Sequence, residues 1–176
     1  MTGNDIAVLM GFLAAAIALA GFAGIVTSID RGAAVASNEV ISFRVRNLVT
    51  SAVASVLLSL LPVLLAALEL FRSSLWQRCC VVSAMGIGAL LFSLLSARLR
   101  LRGGQDAGLS NSLFVTNLTL GALAFGVLGA GASGAVAGRG AYFTGLYYLL
   151  YLMCTLFHRM VAMADAAARH GAKKKQ

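Results

Sequence analysis

The sequence predicts an all-α integral membrane helical bundle of five transmembrane helices, with the N-terminus outside and the C-terminus inside. Three observations predict it. The 176-residue chain is 60% hydrophobic and only 11% charged, with a mean hydropathy of +0.89, whereas an ordinary soluble domain is about 25% charged. The charges lie between or beyond long uncharged runs. The cations are divided unevenly among the segments that join those runs. The same composition excludes disorder, which needs a polar, apolar-poor chain. Nineteen glycines without a period exclude collagen.

The first element is a run of 24 uncharged residues from Ile6 to Ile29, and about 20 apolar residues cross a bilayer as a helix. Met1 to Asp5 precede it without a lysine or arginine. A secretory signal needs a basic segment ahead of a short apolar one, so the run is expected to be retained as a span at about 6–28. The second span is expected at about 47–70, with Ser37 and Asn38 capping a helix that runs into it from the cytoplasm. Cys79 to Ala97 gives a third at about 78–97. Ser112 to His158 is 47 residues, or ~70 Å as helix, which cannot cross a ~30 Å core once. Glycines 129, 131, 134, 138 and 140 with Arg139 mark a turn there, giving spans at about 112–131 and 141–160 and a basic cytoplasmic tail at 161–176. The whole chain, 1–176, is thus read as a single transmembrane domain.

Orientation follows from the cations. Loops 30–46 and 98–111 and the chain from Arg159 onward carry eleven of the fourteen Lys and Arg; the other two loops carry three. Cations are held at the cytoplasmic face. A net charge of +8 with a pI near 10.1 would suggest nucleic acid in a soluble domain. Here its segregation reads as topology, and no nucleic-acid partner is expected. Composition rich in Ala, Gly, Leu and Arg points to a bacterial cytoplasmic membrane. Trp76 and Tyr142 fall at the outer side, as interface anchors where amphipathic rings sit.

Small residues recur at spacing four: Gly11 with Ala15, Ala14 with Ala18, Ala20 with Gly24, Cys79 with Ser83, Ala122 with Gly126. Such pairs let helices approach closely in lipid, and their number points to self-association or to other membrane subunits. The second span carries the sharpest pattern. Asn47, Ser51, Ser55 and Ser59 share one face, and Pro62 near that face is expected to kink the helix or free a carbonyl. Arg44 and Arg46 stand at the cytoplasmic mouth and Glu69 at the outer end. One reading is a pore wall in a homo-oligomeric ion channel or passive transport protein, with Glu69 as an outer acidic ring and Leu57, Leu58, Leu60 and Leu61 as a constriction. The alternative is a helix seam in a non-catalytic accessory or scaffold subunit of a larger membrane complex. No acidic residue falls at a bilayer midplane, which argues against proton-coupled transport.

Catalytic and cofactor signals are sparse, and neither an enzyme nor a cofactor nor a metal is expected. Cys79, Cys80 and Cys154 show no metal spacing and read as buried thiols. Tyr147, Tyr151, Cys154 and His158 share a face of the last span. A bis-histidine haem there would need a second histidine at depth, and His170 lies in the tail, so His158 is expected to face water at the inner interface. Asn117-Leu118-Thr119 fits a glycosylation acceptor but lies inside a span, where Asn117 is expected to hydrogen-bond across helices. Gly131-Ala132-Ser133-Gly134, with Gly140-Ala141-Tyr142 after it, resembles the serine motif of rhomboid intramembrane proteases over about a dozen residues. The resemblance implies Ser133 as a nucleophile. His158, the one candidate base, is not followed by the family's glycines and belongs to the opposite face, far beyond the ~3 Å reach that a nucleophile and its base require.

Overall fold

A computed structural model describes residues 1–31, 39–69, 74–101 and 111–173. The described residues form five helices and no strand: α1 (Gly3–Arg31), α2 (Glu39–Ala67), α3 (Leu75–Leu101), α4 (Asn111–Ser133) and α5 (Gly138–Lys173). Each contains a stretch long and apolar enough to cross a membrane: Gly3–Phe22, Arg46–Ala67, Leu75–Ser96, Phe114–Ser133 and Gly138–Arg159. Most helices overrun those stretches at the end of the bundle opposite the N-terminus. α5 is 36 residues long, or ~54 Å, so about 20 Å of it continues past Arg159. α2 begins at Glu39 and runs unbroken into its apolar stretch, as the sequence suggested; Ser37 and Asn38 lie outside the described residues.

Helix ends follow local chemistry. Thr2 and Asp5 form a reciprocal capping box at the start of α1. The Thr2 backbone N–H donates to Asp5 Oδ2 at 2.7 Å, and the Asp5 N–H donates to Thr2 Oγ1 at 3.4 Å. α4 closes with a Schellman turn in which Gly134 has φ 79°. Its N–H bonds Gly131 O, and the Ala135 N–H bonds Ala130 O. This is the turn that the glycine cluster marked. α2 stops earlier than its apolar run, because Glu69 adopts φ 53° and its N–H bonds Ala66 O.

α5 is the axis of the bundle. It packs against all four other helices, while α1 meets α2, α2 meets α3, and α3 meets α4. Among the described residues no contact joins α1 to α4, so α5 is left uncovered along one sector. The main core lies toward the N-terminal end, around Leu75, Cys79, Cys80, Tyr142, Leu146 and Leu149. A smaller cluster of Ala16, Ala52 and Met153 joins α1, α2 and α5 toward the basic end.

The glycines that allow this packing are not those picked out by spacing four. A Cβ at Gly131 would lie 2.5 Å from the Ala141 Cβ, and one at Gly121 would lie 2.5 Å from the Tyr148 hydroxyl. Gly11 and Gly126 instead face open space, and Ala14, Ala18 and Ala122 are exposed beside them.

Candidate functional site

The α2 stripe is a single face, and that face points into the chain. Asn47, Ser51, Ser55 and Ser59 are all 8% exposed or less. Of the constriction leucines, Leu57 and Leu60 point outward and Leu58 is buried. Pro62 is buried beside the stripe. It has no N–H to give to the carbonyl four residues back, that of Leu58. The Tyr142 hydroxyl, from α5, donates to that carbonyl instead. Tyr142 is thus fully buried within the chain, its phenol turned to the carbonyl that the proline leaves vacant. Trp76 is half-buried, its ring 5.8 Å from those of Tyr142 and Phe143.

At the ends of α2, Arg46 and Glu69 are exposed. The side chain of Arg44 lies outside the described residues. Glu69 caps the helix in the left-handed region, which costs a non-glycine residue about 1 kcal/mol.

An ion pair absent from the sequence reading joins α1 to α5. Arg139 Nε lies 2.9 Å from Asp5 Oδ1, with Asp5 buried and Arg139 half-exposed. The contact is ionic and not aligned as a hydrogen bond. Thr2 and Asp5 at capping-box spacing were the available signal for an ordered α1 start; the pairing with Arg139 arises only in three dimensions. Nearby, the Cys80 thiol donates to the Gly138 carbonyl at 3.1 Å. Cys79 and Cys80 are buried as expected, but Cys154 is exposed, because its face of α5 is the uncovered one.

That face is a second polar stripe. Gly140, Thr144, Tyr147, Cys154 and His158 are exposed on α5, with Tyr151 half-exposed among them, and almost everything else on the helix down to Met153 is covered. Thr144 Oγ1 is satisfied by the Gly140 carbonyl at 3.0 Å. Tyr147 is 62% exposed, with its ring edge against Phe12 at 4.8 Å between centroids. It lies nine residues into the helix, ~13 Å from its start, near the middle of the apolar stretch.

Other sequence signals separate. Ser133 is exposed at the end of α4 and donates to Ala130 O at 3.0 Å. His158 lies twenty residues along α5, ~30 Å from the turn that holds Ser133, so the two do not form a catalytic pair. Asn117 accepts a hydrogen bond across helices through its backbone carbonyl, from the Tyr148 hydroxyl at 3.3 Å, while its side-chain oxygen has no partner. Among the described residues no group of three or more His, Cys, Asp or Glu could hold a metal ion. The chain matches no protein-family model, no curated protein and no solved structure.

Proposed function

We propose that this protein is a non-catalytic multi-pass subunit of a bacterial cytoplasmic membrane, oriented N-out and C-in, that works by lateral assembly through the open face of α5. The carrying observation is the Thr144/Tyr147/Tyr151/Cys154/His158 stripe, uncovered between α1 and α4. A phenol facing hydrocarbon forgoes a hydrogen bond that water would supply, and polar side chains at mid-span act as glue between helices. A pore lined by α2 around a symmetry axis needs the serine stripe to face that axis. The burial of the stripe within one chain supports the accessory reading over the channel.

The partner is a transmembrane helix of a different chain. It offers a hydrogen-bond acceptor at the level of Tyr147 and an acidic flank at the cytoplasmic side. Charge supports this choice: α5 leads into a segment bearing Arg159, Arg169 and three terminal lysines. Two copies joined along α5 would bring those cations together, whereas an acidic flank would be attracted to them.

A photo-crosslinking residue at position 147 tests the reading, with one at the exposed Leu123 of α4 as control. The expected result is one discrete adduct with another membrane polypeptide from position 147 and lipid adducts alone from position 123. Lipid adducts from both positions overturn it. Adducts with a second copy, together with cation flux through vesicles that Glu69→Gln weakens, would restore the homo-oligomeric channel.

A further inference from the structure

The seam that α2 shares with α3 and α5 holds more polar atoms than the chain satisfies. The hydroxyls of Ser55 and Ser59 on α2 and Ser83 on α3, and the Asn47 side-chain nitrogen, are buried without a hydrogen-bond partner in the chain. Ser51 shows the alternative open to its neighbours, since its hydroxyl closes on the Asn47 carbonyl at 2.8 Å. The Tyr142 hydroxyl ties the seam together. Its one proton goes to Leu58 O, next to Ser59, and the Ser83 hydroxyl approaches its oxygen without meeting hydrogen-bond geometry. Its lone pairs remain acceptors.

A buried polar group without a partner costs about 1–3 kcal/mol, so several along one seam are a large debt for one small bundle. Buried water meets such debts when two to four polar groups converge on it. No carboxylate faces this seam among the described residues, because Asp5 pairs with Arg139 and Glu69 is exposed at the end of α2. The polar set is therefore neutral, and its hydroxyls can both give and take hydrogen bonds, which matches water.

We infer that ordered water occupies the seam, held by Ser55, Ser59 and Ser83 and by the free lone pairs of Tyr142, with Asn47 holding water toward the basic end. This inference stands apart from the assembly reading, since it concerns a buried face and needs no partner chain. The water completes the hydrogen bonding of the packed core and gives the bundle a hydrated line within one chain.

Water-edited solid-state NMR of the full chain in lipid vesicles tests it by reading how fast magnetisation passes from water to each side chain. Ser55, Ser59 and Ser83 should gain signal several-fold faster than Ile87 on α3 and Leu149 on α5, which are fully buried in the apolar core. Equal, slow rates would overturn the inference and mean that the serines close on their own helix carbonyls. In a Ser55→Ala/Ser59→Ala variant, transfer to Ser83 should fall toward the Ile87 rate. Unchanged transfer would show that α2 holds no water there. Should the variant not fold, the wild-type rates alone decide.

Discussion

α2 and α5 each carry a polar stripe at helical spacing, and the two point in opposite directions. On α2, Asn47, Ser51, Ser55 and Ser59 turn inward and are sealed by α1, α3 and α5. On α5, Thr144, Tyr147, Cys154 and His158 turn outward through the sector that α1 and α4 leave open. The difference lies in size as much as in polarity. Serine is small enough to let two backbones close together. A tyrosine ring in the same seam would hold the helices apart. Where the bundle does take in tyrosines, each phenol finds a backbone carbonyl: Tyr142 that of Leu58, which Pro62 leaves free, and Tyr148 that of Asn117.

Like substitutions on the two stripes should give unlike results. Ser55→Leu adds a branched side chain to a packed seam and should cost about 3 kcal/mol, at the upper end for overpacking. Thr144→Leu on the open face should stay within about 0.5 kcal/mol. Reversible unfolding in mixed micelles would read both. Equal costs would mean that the two faces are equally packed, and the contrast would fail. Tyr142→Phe comes next. It strands the Leu58 carbonyl and should cost about 2 kcal/mol, within the range for an orphaned buried acceptor. Pro62→Ala restores an N–H for that carbonyl, so in its background the Tyr142→Phe cost should largely vanish. Additive costs would break the link between the proline and the tyrosine.

The fold was legible because length and charge read directly: an uncharged run of 24 residues, Ile6 to Ile29, has few homes other than a helix of bilayer length. The existence of both stripes was legible too, since spacing alone places residues on a face. Their direction was not. In a helix apolar on every side, periodicity has no water-facing reference, so a serine stripe reads equally well as lining or seam. The small residues divided the same way: Cys79 and Ser83 are buried as a packed pair should be, but others are not. Gly11, Ala14, Ala18, Ala122 and Gly126 keep the spacing of packed pairs yet face outward, while Gly121 and Gly131, which spacing did not single out, sit against neighbouring helices. The Asp5–Arg139 pair joins residues 134 apart in the sequence, and no local pattern announces it.

Glu69 offers a smaller test at the end of the α2 stripe. With φ 53° it occupies a conformation that glycine adopts without penalty. Glu69→Gly should therefore stabilise the chain by about 1 kcal/mol, measured by the same unfolding. A loss of stability would mean that the glutamate side chain contributes more than its backbone conformation costs.

The smallest effect belongs to the open face and separates assembly from folding. Tyr147→Phe removes one hydroxyl and leaves the ring contact with Phe12 in place. The isolated chain should unfold as before, within about 0.5 kcal/mol, because the lost group pairs with nothing inside the chain in this reading. Lateral association should weaken by about 0.6 kcal/mol, the average for a polar contact between membrane helices, or about threefold in dissociation constant. Photo-crosslinking from position 151, in chains with and without the substitution at matched expression, would show it as a lower adduct yield. A full-sized loss of folding stability in the isolated chain, like that expected for Tyr142→Phe, would place the Tyr147 hydroxyl inside the bundle's own packing. The sector between α1 and α4 would then be closed, and the opposition between the two stripes would collapse with it.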